Sequence, residues 1–149
     1  MAMTAPLIDI PYPFVLGNLL AAGQPDEATL RAARDAGYTT VVNLRTDGEP
    51  IGFDERAAVE KLGMRYLQIP VAGAAGVTEE NARALWTVIN DAAPRPVLVH
   101  CGTANRVGAL VALASALDGA DLEDAIIDGR RAGLLGLEPT VRSLIAARG

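Results

Sequence analysis

Short apolar runs alternate along this chain with stretches in which apolar residues recur every three or four positions. The first pattern is that of buried strands, the second that of amphipathic helices. Phe14 to Ala22 predicts a strand or hairpin leading into a Gly23-Gln24-Pro25 turn. Asp26 to Ala36 predicts a helix with Leu30 and Ala33 as its apolar positions, acids in its first turn, and Gly37 at the C-terminal cap. Thr39 to Leu44 is rich in β-branched residues and predicts a buried strand. A polar loop follows, Arg45 to Phe53, then a helix over Asp54–Leu62 closed by Gly63. Arg65 to Ile69 predicts a strand ended by Pro70. Beyond an Ala- and Gly-rich loop, Thr78 caps a helix that runs to about Asp91. Pro96 to His100 is a short, continuously apolar strand. Three helices complete the pattern, over Arg106–Leu117, Leu122–Arg131 and Pro139–Ala147.

Strands that alternate with helices predict an α/β fold, with a central, mainly parallel sheet flanked by helices. The 149 residues suit one domain, 1–149, and can bury a core without disulfides or metal. In such a sheet the carboxyl ends of the strands share a rim, and ligands bind outside it. Three loops therefore meet on one edge: Arg45–Phe53, Val71–Val77 and Cys101–Asn105.

Composition narrows the chemistry. The chain is 50% hydrophobic but only 4% aromatic, so Ala, Val, Leu and Ile must build the core. One cysteine and one histidine exclude an internal disulfide and any zinc or iron–sulfur site of the Cys/His type. No metal and no cofactor are expected. The net charge of −5 argues against a duplex nucleic-acid partner. No apolar stretch is long enough to span a membrane, and Met1 to Leu20 lacks the basic start of a secretory signal. A soluble, cytoplasmic protein is the expectation.

The informative segment is Val97-Leu98-Val99-His100-Cys101-Gly102-Thr103-Ala104-Asn105-Arg106. A lone cysteine is most often an inert core residue. This one stands after a buried strand and before a helix, at the head of a small, polar loop. Backbone N–H groups at such a junction have no intrahelical partners, so they can cradle an anion and stabilise a thiolate. Arg106 adds a planar fork suited to two oxygens of a tetrahedral anion. Full ionisation of an ordinary thiol would gain at most a factor of roughly 30. Most of the acceleration must come from the N–H ring of Gly102, Thr103, Ala104, Asn105 and Arg106, together with the arginine's charge.

These residues resemble those of the Cys-loop-Arg phosphatases of the tyrosine and dual-specificity class. Within that class the chain is most similar to a bacterial phosphatase-like family that occurs fused to or beside β-lactamase-hydrolase-like enzymes. The resemblance is carried by Ala22-Gly23-Gln24-Pro25, Val41-Val42-Asn43-Leu44-Arg45-Thr46-Asp47-Gly48-Glu49, Ile69-Pro70-Val71, Val77-Thr78-Glu79, Val99-His100-Cys101 and Arg106. It implies a phosphatase-like three-layer fold, Cys101 as nucleophile, Arg106 as phosphate clamp, and a phosphorylated protein or small phosphorylated molecule as substrate.

The chain also departs from the class. Four residues separate Cys101 from Arg106 where five are common. Ala104 stands where the most similar family usually has glycine, and Val107 stands where many phosphatases have a hydroxyl, leaving only Thr103 to supply one. The loop Val71–Val77 holds no acid to protonate a leaving group. Rim placement makes Asp47 the first candidate acid and Glu49 the second, with Arg45 as a structural partner for one of them. Glu79 and Glu80 are read as complements to a helix dipole. His100 is expected to orient the loop, and Asn43 and Gln24 could brace it. The short loop also admits a rhodanese-like sulfurtransferase using a Cys101 persulfide, or a catalytically weak module that only captures phosphorylated ligands.

Overall fold

In the computed structural model, which describes residues 4–49 and 51–148, five strands and six helices form three layers. Strands β1 (Phe14–Leu16) and β2 (Leu19–Ala22) form an antiparallel hairpin, turned at Gly17 and Asn18. Asn18 fixes the turn by donating to the carbonyls of Ile89 and Arg95. Helix α1 (Glu27–Asp35) is capped by Asp26, which accepts from the Thr29 N–H. Strand β3 (Thr40–Asn43), helix α2 (Glu55–Lys61) and strand β4 (Arg65–Gln68) follow. The Ala/Gly loop contains a 3₁₀ turn at Gly73–Gly76, which apolar periodicity gives no means to foresee. Helix α3 (Glu79–Ala92), strand β5 (Val97–His100) and helices α4 (Asn105–Leu117), α5 (Leu122–Arg131) and α6 (Glu138–Arg148) complete the chain. Each helix and strand expected from periodicity is present, with ends shifted by a residue or so. The polar loop after β3 contains Pro50, which lies outside the described residues.

The sheet order is β1-β2-β5-β3-β4, and every pairing beyond the hairpin is parallel. Register makes the rim level: Ala22 and Asn43 both pair with His100, and Asn43 also pairs with Gln68. The loops after β2, β3, β4 and β5 therefore start side by side.

Alternation along the strands sorts the core. Leu19, Ala21, Val42, Val97 and Val99 face α3, α4, α5 and α6. Leu20, Ala22, Val41 and Leu98 face α1, α2 and the segment around Ala5 and Ile10. Successive side chains of a strand point to opposite faces. Helix α4 is apolar all round and buried from Val107 to Ser115, as a helix walled in by others must be. No helix among the described residues is long and apolar enough to cross a membrane.

Helices α4 and α5 touch through glycines. A Cβ on Gly108 would lie 2.0 Å from Leu134 N and 2.7 Å from the Gly129 carbonyl. Both are backbone atoms, so no rotamer change could make room. Gly108→Ala is therefore expected to cost about 3 kcal/mol, at the upper end of ordinary overpacking. Urea unfolding at neutral pH measures this, and a loss below about 0.5 kcal/mol would show that α5 shifts freely.

Candidate active site

Cys101 directly follows the central strand β5, and its N–H donates to the Ala22 carbonyl at 3.1 Å. Its side chain is buried, only 1% exposed, on the face that meets α4. Gly102 and Thr103 then cross the end of β2, where Thr103 bridges to Gly23. Glycine is required at Gly23, because a Cβ there would stand 2.6 Å from the Gly102 carbonyl oxygen. Thr103 itself is exposed. Ala104 turns the chain through the left-handed region, with φ 69°, and Asn105 begins α4. For a non-glycine residue this conformation costs about 1–3 kcal/mol. A left-handed residue here helps successive N–H groups form an anion-binding concavity.

Arg106 is fixed from two sides. Its Nη1 donates to Glu49 Oε2 at 2.9 Å and to the Val71 carbonyl at 3.0 Å, and its Nη2 donates to Glu49 Oε1 at 2.8 Å. This bidentate pair joins the loops after β3 and β5, and the Val71 contact adds the loop after β4. The guanidinium charge is reinforced first by the Glu49 hydrogen bonds and then, against its own burial, by the nearby Cys101 sulfur. The pair leaves Nε and one Nη2 hydrogen outside it, and Nη2 borders Gly102.

Glu49 is correspondingly acidic. The Arg106 hydrogen bonds, helped by donation from the Thr46 N–H and hydroxyl, pull its pKa from an ordinary 4.5 down to about 2. Arg45 Nε adds a contact of 3.3 Å to Glu49 Oε1. A carboxylate held this way is ionised at neutral pH and has no proton to give. The structure thus makes Glu49 the anchor of Arg106 and removes it as a candidate acid.

Among the described residues, Asp47 makes no hydrogen bond or ion pair with Cys101 or Arg106. Asp47 is exposed and accepts from Gln68 Nε2 at 3.1 Å. It lines a cleft of about 250 Å³ with Phe53, Arg56, Tyr66 and Gln68, and Glu49, the anchor of Arg106, stands in the wall of the same cleft. Asn105 is committed elsewhere: its Oδ1 accepts from the N–H groups of Leu135 at 2.8 Å and Leu137 at 3.2 Å.

His100 points to the opposite face from Cys101 and is fully buried. Its Nε2 lies 2.6 Å from Glu55 Oε2, and Glu55 is itself 3% exposed. His100 Nδ1 has no hydrogen-bond partner among the described residues. A buried N–H without an acceptor costs more than a bare lone pair, so the proton belongs on Nε2, donated to the Glu55 carboxylate. Glu55 Oε1 accepts from Gln24 Nε2 at 2.8 Å, and Gln24 Oε1 accepts from Arg45 Nη1 at 3.0 Å. Arg45 returns to Glu49. One polar chain therefore runs from the residue before Cys101 to the anchor of Arg106. Asn43 accepts the Arg45 N–H on its Oδ1 and so shapes the start of that loop.

Sequence reasoning missed Glu55. It reads as an ordinary first-turn acid of α2. The available signal was His100 itself, a polar side chain at the end of an apolar strand, which needs a buried partner. Among the described residues, no group of three or more His, Cys, Asp or Glu stands together to hold a metal ion.

Three comparisons bear on this arrangement. The model of a family described as DSP-PTPase phosphatase fused to NAD+ kinase matches residues 17–126. A beta-lactamase hydrolase-like protein of Agrobacterium fabrum is 36% identical over 115 residues, covering 72% of this chain and 26% of that protein. The chain thus spans about a quarter of the length of the curated relatives it matches. A candidate phosphatase from Shewanella putrefaciens shares the fold with a TM-score of 0.71, at 24% identity over 93% of this chain and 88% of the other. A cysteine-to-serine variant of Pseudomonas aeruginosa TpbA, crystallised with phosphotyrosine, matches with a TM-score of 0.60 at 20% identity, over 97% and 96% of the two chains.

Two outcomes follow from the ion pairs. Glu55→Ala leaves His100 buried without its partner and should cost about 3–5 kcal/mol in denaturant unfolding, as for other broken buried pairs. Glu49 has a depressed pKa when folded, so its stabilisation is complete above 4.5 and disappears as the pH falls toward 2. The stability difference between the wild type and Glu49→Gln should therefore be largest near neutrality and shrink through that window. A difference independent of pH would show that Glu49 is not held ionised.

Proposed function

Since this chain belongs to the family of DSP-PTPase phosphatases fused to NAD+ kinase, we propose that it is a cysteine-dependent phosphatase acting on a phosphomonoester. The observation that carries this reading is the Arg106 guanidinium, locked by Glu49 beside the Cys101 sulfur with donors left over. A charge fixed before substrate arrives needs no reorganisation as the transition state forms.

Cys101 thiolate attacks phosphorus in line with the leaving oxygen. Backbone N–H groups of Gly102, Thr103, Ala104, Asn105 and Arg106 hold the equatorial oxygens, and the Arg106 fork takes two of them. The S–P bond forms as the P–O bond to the leaving group breaks. Water then hydrolyses the phosphocysteine, releasing phosphate and restoring the thiolate. His100, pinned by Glu55, acts as a positioning residue for the strand end that carries Cys101. Phosphotyrosine, with which the TpbA variant was crystallised, is the first natural ligand to test.

The decisive measurement is hydrolysis of 4-nitrophenyl phosphate by the purified protein. Cys101→Ser should abolish turnover, and Arg106→Ala should lower kcat/KM by about a thousand-fold. Hydrolysis that survives Cys101→Ser would overturn the covalent mechanism. Cyanide-dependent sulfur transfer from thiosulfate, with no phosphate release, would assign the loop to a persulfide instead.

A further inference from the structure

The reaction needs something to accept the charge of the departing oxygen, and most carboxylates around the rim have other work. Glu49 is held ionised by Arg106. Glu55 is buried against His100 and Gln24. Asp26 and Asp54 cap α1 and α2 through the N–H groups of Thr29 and Ala57. Glu79 pairs with Arg148, and Glu138 with Arg130 and Arg142, while Glu80 faces solvent in the first turn of α3. Asp47 is tied to Gln68 on the neighbouring cleft. The loop Val71–Val77 contributes a carbonyl to Arg106 but contains no acid.

Resting on the phosphatase reading above, we propose that this site works without a general acid and is selective for phosphoryl compounds whose leaving group departs as a stable anion. These are phosphoric anhydrides, acyl phosphates and aryl esters, as opposed to alkyl phosphates. The bonding balances without a proton donor. Cys101 Sγ gains the bond to phosphorus, the P–O electron pair leaves with the departing oxygen, and that anion takes its proton from water after it is released.

The selectivity follows from leaving-group basicity. A carboxylic acid ionises near pH ~4 and a phenol near ~10. A phosphate group takes its second charge near ~6. An alkyl hydroxyl, like water, ionises only near ~16. A positioned acid contributes roughly a hundred- to ten-thousand-fold, and that help matters most for the most basic leaving group. A site lacking it loses the alkyl esters first.

One rival explanation for a preference among esters is recognition of an aromatic ring. Tyr12 is 55% exposed in a left-handed backbone conformation beside Gly23, whose Cβ would meet the Tyr12 ring at 3.1 Å. It could offer a ring to an aryl substrate. Acetyl phosphate separates the two explanations, because it has a good leaving group and no ring.

The test compares kcat/KM for phenyl, acetyl and propyl phosphate, each corrected for the rate with Cys101→Ser. This constant reports phosphoryl transfer to the thiolate even if hydrolysis of the phosphocysteine limits kcat. Acetyl phosphate should be used at least as well as phenyl phosphate. Propyl phosphate should fall more than about a hundredfold below both. Asp47→Asn should leave the three ratios unchanged. A propyl phosphate constant within a hundredfold of phenyl phosphate overturns the proposal, because a proton donor must then be acting. So does an Asp47→Asn variant that loses phenyl phosphate selectively while keeping acetyl phosphate, or an enzyme that uses phenyl phosphate but not acetyl phosphate. If none of the three is hydrolysed in a Cys101-dependent way, the phosphatase reading itself fails, and that outcome is distinct from the others.

Discussion

The bidentate pair between Glu49 and Arg106 is the contact on which the site depends. An arginine at the start of a helix could adopt many rotamers, each pointing its charge somewhere else. Two parallel hydrogen bonds to one carboxylate, plus a third to the Val71 carbonyl, leave a single orientation. They also join the loops after β3, β4 and β5, whose strand ends are already level. The guanidinium is thus the point at which three loops meet, and its position beside the thiol is set by the sheet. The same pair has a chemical consequence. By holding Glu49 ionised it removes from proton transfer the carboxylate that, among the described residues, reaches the arginine.

A second polar system stabilises the opposite face of the sheet. Alternation along β5 sends His100 toward α2 and leaves Cys101 facing α4. His100 and Glu55 are both withdrawn from water, so His100 depends on Glu55 for its hydrogen bond, and Glu55 on His100 and Gln24. Gln24 uses both ends of its amide, giving hydrogen to Glu55 and accepting it from Arg45. This links the Gly23-Gln24-Pro25 turn, the α2 start and the loop after β3. Gly23 contributes by being absent of side chain where Gly102 crosses. The small motifs spread along the chain therefore converge on two packing problems, the placement of the thiol and the placement of the arginine.

Much of the fold was legible because its signals are local. Periodicity of apolar residues marked the helices and strands, and Gly37, Gly63, Pro70 and Thr78 marked their ends. The 3₁₀ turn at Gly73–Gly76 was not legible, since a run of Ala and Gly has no polar alternation to read. At the site, Cys101 and Arg106 stood out by their place at a strand-to-helix junction. Glu55 did not, because its partner lies 45 residues away in the chain. Asn105 looked like part of an anion loop, yet its side chain closes the Leu135–Leu137 segment.

The sequence by itself determined the α/β order of elements, the single thiol and single histidine, and the short loop that ends in Arg106. These are properties of composition and near-neighbour spacing. Which carboxylate serves which cation was decided only in three dimensions. Asp47 and Glu49 are two residues apart on one loop, and nothing local distinguishes them. Tertiary structure turns Glu49 onto Arg106, Arg45 and Thr46, and leaves Asp47 outside with Gln68. The ionised state of Glu49 follows from the partners that packing supplies, so that part of the rim's acid–base character belongs to the fold.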